Sequence, residues 1–177
     1  MRVIETKRFI LRKVEANDAE KIYKILSNEN VIANLNMNIH KNIEDTYELI
    51  ADYAEGLQNN TKFPYAIIDK ITKEFIGVFL IKLDLYDEDC FEFTVYLDEK
   101  YWGKGIYTEV LPYMADVAFK DIKTGNFRGF VMEKNQASSK VLEKCGFDLE
   151  KIFEVPGLDG KIISYLMTRD KYEKNIK

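Results

Sequence analysis

Histidine, cysteine, proline and glycine are all scarce in this chain of 177 residues, which holds one His, two Cys, three Pro and nine Gly. A single histidine, His40, excludes metal sites built from several imidazoles. Two cysteines, Cys90 and Cys145, supply neither a disulfide framework nor a four-thiolate zinc site. The low glycine and proline content excludes collagen-like and low-complexity readings. Long apolar runs are missing too, the longest covering only a few residues and falling far short of a membrane-crossing helix. The opening MRVIETKRFILRKVE is charged every few residues and has no apolar stretch of the signal-peptide kind. There is also no excess of positive charge. With 26 Lys+Arg against 30 Asp+Glu the formal charge is −4, which argues against a general nucleic-acid binder. A cytoplasmic setting is the default for such a charged, free-thiol composition.

What is present is the composition of a globular protein. Apolar residues make up 46% of the chain and charged residues 32%, and a chain of this length buries roughly 70% of its unfolded surface. No repeat, linker or composition break interrupts it, so residues 1–177 read as a single domain. A strand is predicted at 9–14. Asn17 and Asp18 read as N-caps of a helix whose apolar positions are Ala19, Ile22, Tyr23 and Leu26. The asparagine-rich stretch 28–38 reads as a loop with one short helical turn. Ile43, Tyr47, Ile50, Ala54 and Leu57 make the apolar stripe of a second helix ending near Asn59 and Asn60.

The period then changes. Segments 65–69 and 75–85, rich in Ile, Val, Phe and Leu around a polar turn, read as a β-hairpin. In the next strand Phe91, Phe93, Val95 and Leu97 share one face, and Glu92, Thr94 and Tyr96 share the other. A helix follows Gly103-Lys104-Gly105 with Ile106, Val110, Met114 and Val117 as its stripe. A strand at 127–132, a helix at 136–145 and two strands near 147–155 and 161–168, around a turn at 156–160, complete the order. This is the α+β class with a mixed, mostly antiparallel sheet. Strand, helix and strand over 91–132 form its candidate parallel crossover.

Gly103 and Gly105 sit between a β pattern and a helical stripe. Glycines there let backbone N–H groups approach a ligand, and the helix start adds the positive end of its dipole. The combination suits phosphate, with Lys104 adding a point charge. The dinucleotide fingerprint fails, because Thr108 stands where its third glycine belongs, and the Walker loop fails because Gly105 follows Lys104. The plain alternative is a strand-to-helix turn that needs two flexible residues.

The wider spacing carries more. Glu92-x-x-x-x-Leu97-Asp98-x-x-Tyr101-Trp102-Gly103-Lys104-Gly105, then Thr108-Glu109, then Asn135-x-x-Ser138-x-x-Val141-Leu142-Glu143-Lys144-Cys145-Gly146-Phe147, resembles the GNAT superfamily of N-acetyltransferases. The nearest likeness is to the Rim type, the ribosomal-protein N-terminal acetyltransferases. The opening Ile4-Glu5-Thr6-Lys7-Arg8-Phe9-Ile10-Leu11-Arg12 resembles the start of that group, so the likeness runs from the first strand to about Thr168. It implies a single-domain GNAT-like fold, with splayed strands in the central sheet and flanking helices. It also implies acetyl-CoA as co-substrate, no metal, and direct attack by an amine in a ternary complex.

By the same resemblance, the turn of Trp102, Gly103, Lys104, Gly105, Ile106, Tyr107 and Thr108 holds the CoA pyrophosphate. Val95, Tyr96 and Leu97 pair with the pantetheine arm, and Asn135 binds the same arm. Two residues depart from the pattern. Trp102 stands where the family prefers Gln or Arg, although Trp is frequent in the Rim type, and Tyr107 places a ring where Gly or Ala is preferred, crowding the pyrophosphate.

Acyl transfer to nitrogen needs a neutral amine and a leaving thiolate. An α-amino group has a reference pKa of about 8 and a lysine about 10.4, so the latter needs more base assistance. Glu92, matching a recurrent acidic position, is the candidate base; the plain alternative is an edge-strand Glu facing water. No tyrosine stands in the run Val141-Leu142-Glu143-Lys144, where relatives often carry the proton donor, so Ser138 is the candidate acid, as in the Rim type. Its alternative is a Ser that bonds the backbone in the first helical turn.

Other residues read as structural. Cys145 continues an apolar stripe with no histidine near it in sequence, and His40 reads as solvated in a polar loop. The acidic runs Glu44-Asp45 and Asp87-Glu88-Asp89 read as solvated faces, or, more boldly, as an attraction for a cationic amine. Eleven Tyr and eleven Phe read as core, since no clustered basic surface accompanies them. The expected partner is an amine substrate: a protein N-terminus or, as alternatives, a polyamine or amino-sugar. A CoA-binding module with little activity is the remaining reading. No nucleic-acid or membrane partner is expected. A homodimer is compatible with this organisation, though no residue pattern argues for one.

Overall fold

The computed structural model describes residues 1–35, 37–157 and 160–175. Leu158 and Asp159 of the expected turn at 156–160, and Asn36 of the expected loop at 28–38, lie outside the described residues. The chain forms two compact units, one of Met1–Lys82 with Val95–Ile106, the other of Leu83–Thr94 with Tyr107–Lys177. One strand passes from the second unit into the first in mid-course, so no linker or shift of composition marks the division.

In the first unit, strands β1 (Ile4–Glu5), β2 (Phe9–Lys13), β3 (Lys62–Asp69) and β4 (Phe75–Leu83) lie side by side in that order, all antiparallel. The β3–β4 hairpin forms as its pattern predicts. Asp69 Oδ1 accepts the N–H groups of Ile71 and Thr72 at 2.8 and 2.9 Å, closing the turn. Strand β4 stops at Leu83 rather than the expected Leu85, because Asp84 turns the chain by accepting the Tyr86 N–H at 2.9 Å.

Helices α1 (Ala19–Leu26), α2 (Glu29–Ile32) and α3 (Ile43–Gln58) complete this unit. Val14, Ile22, Ile25, Leu26, Val31 and Tyr53 pack with Ala66, Val78, Leu80 and Tyr96 as its core. Burial of each such Leu or Ile stabilises the fold by about 1.5–3 kcal/mol.

Three sequence expectations change here. Asp18 does not cap α1; it is buried, receives two hydrogen bonds from Arg12 at 2.7 and 2.8 Å, and accepts the Glu15 N–H at 3.0 Å. Burial alone would raise its pKa, but Arg12 and the Glu15 N–H hold the carboxyl below its ordinary value. A two-pronged guanidinium outcompetes a helix terminus for that carboxylate. The α3 stripe is also rotated: Thr46, Tyr53 and Gly56 are buried, while Tyr47 is 51% exposed and Ala54 faces solvent. The cause is polar pairing and close approach, with Thr46 bound to His40, Tyr53 sharing a 3.2 Å hydroxyl contact with Tyr96, and a Cβ on Gly56 lying 2.6 Å from the Lys62 side chain.

His40 is therefore buried rather than solvated, with Nδ1 2.8 Å from Thr46 Oγ1 and its N–H donated to the Leu26 carbonyl at 3.1 Å. Desolvation holds its pKa below the ordinary value against the opposing pull of Asp45.

The second unit contains the first half of β5 (Cys90–Leu97), β6 (Asn126–Met132), β7 (Asp148–Glu154) and β8 (Lys161–Thr168) in the order β5-β6-β8-β7. Strands β5 and β6 are parallel from Cys90–Asn126 to Phe93–Gly129, as expected for the crossover, and the other pairs are antiparallel. The connection is helix α4 (Ile106–Asp116), which widens into a π-helical segment at Val117–Ile122. Its predicted stripe of Ile106, Val110, Met114 and Val117 is buried. Helices α5 (Gln136–Lys144) and α6 (Arg169–Asn175) follow β6 and β8. Phe93, Phe127 and Phe147 form one aromatic cluster, with ring centroids 4.6–5.9 Å apart. Among the described residues no helix is long and apolar enough to cross a membrane.

The buried His40 ring makes stability pH-dependent. Its unfolded counterpart takes up a proton below about pH 6.5 that the folded ring, with its lowered pKa, refuses, so stability falls as pH drops through that value. Urea unfolding at pH 7 and pH 5 should show a smaller loss for His40→Gln than for the wild type. Equal losses would contradict the role assigned to this ring.

Candidate active site

The residues expected to hold the cofactor or to act in catalysis divide between the units. Val95, Tyr96, Leu97, Trp102, Gly103, Lys104, Gly105 and Ile106 lie in the first, and Glu92, Tyr107, Thr108, Asn135 and Ser138 in the second.

In the first unit the end of β5 lies directly against β4. A Cβ on Gly77 would fall 2.2 Å from the Tyr96 carbonyl oxygen and 2.8 Å from the Leu97 Cα. The Asp98 N–H is donated to the Ile76 carbonyl at 2.9 Å, which ends the strand. Residues Glu99–Tyr101 make a 3-10 turn, started by Asp98 Oδ1 accepting the Lys100 N–H at 3.1 Å. Trp102 Nε1 then donates back to the Leu97 carbonyl at 3.2 Å, so the ring expected to depart from the family pattern braces the turn instead. The Glu99 carboxylate is gripped by the amide groups of Asn28 at 2.9 Å and Asn30 at 3.1 Å.

Gly103 and Gly105 have φ of +70° and +69°, and Lys104 between them is not among the positive-φ residues. Alternation of hand along successive residues turns their N–H groups toward one concavity, an arrangement that holds anions. Glycine is needed here for its φ and not for room. A Cβ on Gly103 would meet nothing within 4 Å, and one on Gly105 only Arg8 Nη2 at 3.9 Å. Helix α4 starts at Ile106, so its positive dipole end meets the same turn. The turn fits a pyrophosphate by these criteria. The Lys104 ammonium lies over the Tyr101 ring, 5.2 Å from the centroid.

In the second unit, Glu92 is half-buried on β5 opposite Arg128 in the parallel register, with Phe91 and Phe93 buried on the other face as the alternation predicts. Arg128 is committed to Glu150 at 3.0 Å and Asp84 at 2.6 Å. Asn135 caps α5, its Oδ1 accepting the Ser138 N–H at 3.2 Å. Because a backbone N–H faces that oxygen, the amide nitrogen of Asn135 is left as a donor. Ser138 is half-buried, and its hydroxyl makes no hydrogen bond among the described residues.

Tyr107 is half-buried, and burial drives its pKa upward, with a further contribution from the Cys145 thiol. Cys145 is partly buried and its pKa is raised by desolvation, the reverse of what a nucleophilic thiol requires. Thr108 offers its carbonyl to the Cys145 thiol at 3.9 Å. Among the described residues no group of three or more His, Cys, Asp or Glu is placed to hold a metal ion.

The acidic runs are partly structural rather than merely solvated. Asp45 accepts the N–H groups of Lys41 and Asn42 at the start of α3, and Asp89 accepts the Gly125 N–H at 2.8 Å. Several contacts of the turn lie outside any local sequence signal: the Gly77 approach, the Asn28 and Asn30 grip on Glu99, and a hydrogen bond from Arg8 Nη1 to the Lys104 carbonyl at 3.0 Å.

Residues 8–148 match the acetyltransferase (GNAT) domain family, and the chain belongs to that family, an acyltransferase by class. It is 26% identical over 150 residues, covering 85% of each chain, to the uncharacterized N-acetyltransferase YoaA of Bacillus subtilis (strain 168). Its fold is similar to the ribosomal-protein-S5-alanine acetyltransferase of Vibrio fischeri, with TM-score 0.84 and 19% identity over 97% of this chain and 99% of that one. It is also similar to the spermidine N-acetyltransferase of Vibrio cholerae, solved with CoA and spermine, with TM-score 0.81 and 20% identity over 93% and 98% of the two chains.

Gly77 and Gly105 test two different constraints. Gly77→Ala forces a Cβ into the β5 backbone and should lower the melting temperature by about 10 °C, the effect of roughly 3 kcal/mol in a chain of this size. Gly105→Ala strains φ without a clash and should cost about 1–2 kcal/mol. Thermal unfolding with the reverse order of effects would contradict this account of the turn.

Proposed function

We propose that this chain transfers the acetyl group of acetyl-CoA to a primary amine, the α-amino group of a protein N-terminus, by direct attack in a ternary complex. The observation that carries the reading is the alternating backbone at Gly103, Lys104 and Gly105 at the start of α4, a cradle for the cofactor's pyrophosphate. Acetyl-CoA, when bound, supplies the activated acyl thioester. Everything else falls to the chain. The backbone of Val95, Tyr96 and Leu97 binds the pantetheine arm as an added strand would, and the turn of Trp102, Gly103, Lys104, Gly105, Ile106, Tyr107 and Thr108 holds the phosphates. The amide nitrogen of Asn135, freed by the cap to Ser138, donates to the arm.

Glu92 takes the amine's proton as general base, and Ser138 returns a proton to the leaving thiolate. An α-amino group, with a reference pKa of about 8, asks less of such a base than a lysine would. The second acceptor class is a polyamine, favoured by the fold's likeness to a spermidine N-acetyltransferase and by the −4 formal charge. Two free cysteines, Cys90 and Cys145, suit a cytoplasmic setting.

The test is thiol release from acetyl-CoA across N-terminal peptides, spermidine and an aminoglycoside. Release driven by a peptide is expected. Release driven by spermidine alone would move the acceptor to the polyamine class, and none with any amine would overturn the reading. With the active amine, Glu92→Gln should lower kcat by about 100-fold near pH 7, with partial recovery as pH approaches the amine's own pKa. An unchanged pH profile would remove Glu92 from the mechanism.

A further inference from the structure

The cation fixed at the glycine turn comes from the far end of the chain. Arg8 precedes β2, and its Nη1 donates to the Lys104 carbonyl at 3.0 Å across a separation of 96 residues. Its Nη2 lies 3.9 Å from where a Cβ on Gly105 would stand. The side chain is steadied on the way. The guanidinium lies 4.8 Å from the centroid of the Phe9 ring, itself buried, and the Arg8 carbonyl accepts the Lys70 N–H at 2.9 Å.

In a trans peptide the carbonyl and the following N–H point in opposite directions. A guanidinium that draws the Lys104 carbonyl to itself therefore turns the Gly105 N–H the other way. It also polarises that peptide, since a hydrogen bond accepted at one end strengthens the donor at the other. The Lys104 side chain itself is turned onto Tyr101. We infer that Arg8 is a positioning residue for the cofactor's pyrophosphate: it locks the Lys104–Gly105 peptide so that the Gly105 N–H is presented to the anion, and its fixed charge stands behind that donor. This rests on the acetyltransferase reading above.

The ligand pair that isolates the effect is CoA, which carries the phosphates, and pantetheine, the arm without them. Both are titrated into the wild type, Arg8→Lys and Arg8→Met, with thermal unfolding run on each. Arg8→Met should weaken CoA binding by about tenfold, the scale of one hydrogen bond to a charged group, with Arg8→Lys between it and the wild type. Pantetheine affinity should stay the same in all three. CoA affinity equal across the three proteins would overturn the assignment, and so would a parallel loss for both ligands, which marks general loosening of the turn. If Arg8→Met does not fold, Arg8→Gln carries the same comparison with the same expected split. A wild type that binds pantetheine and CoA equally well contradicts the role for Arg8 at the phosphates. A wild type that binds neither overturns the acetyltransferase reading itself.

Discussion

At Gly77 two backbones approach more closely than any Cβ between them would allow. With 2.2 Å between the site of its missing Cβ and the Tyr96 carbonyl, no other residue fits between β4 and β5 without moving one of them. The end of β5 is thereby set, and everything that follows hangs from it. The Asp98 N–H closes onto Ile76, the 3-10 turn starts at once, and Trp102 reaches back to the Leu97 carbonyl. Glu99 is clamped by two asparagines from the segment around α2. Gly103 and Gly105 then reverse the hand of the chain at the start of α4. A turn held at so many points is preorganised, and little ordering entropy is left to oppose a ligand.

A site made of main-chain donors places few demands on side-chain identity. It needs glycine where φ is positive, a strand end and a helix start. The chain is only 19–20% identical to structurally similar acetyltransferases, yet its fold matches theirs over nearly its whole length. In the proposed reaction the side-chain chemistry falls to few places, Glu92 and Ser138 foremost. The scarcity of histidine and cysteine is then no obstacle, since an activated thioester needs neither a nucleophilic thiol nor a metal to react with an amine.

Sequence made the local features legible. Gly103 and Gly105 stood out because only glycine adopts that φ at no steric cost, and both do so. The β3–β4 hairpin, the parallel crossover and the buried stripe of α4 followed from period and turn chemistry, and the structure has each of them. What escaped was set by partners distant in sequence. Thr46 and His40 are polar residues that bury because they satisfy each other, so counting apolar positions rotated α3 the wrong way. Asp18 carries the signature of a helix cap but answers to Arg12. The hydrogen bond from Arg8 to the Lys104 carbonyl spans 96 residues and has no local signal.

The central claim is that the backbone N–H groups of the turn receive the cofactor's phosphates. It is tested most directly by following the amide resonances of a nitrogen-15-labelled chain during titration with CoA. The account predicts that the amides of Gly103, Lys104, Gly105 and Ile106 shift together and gain protection from hydrogen exchange at saturation. CoA binding that leaves those four amides unmoved would contradict it.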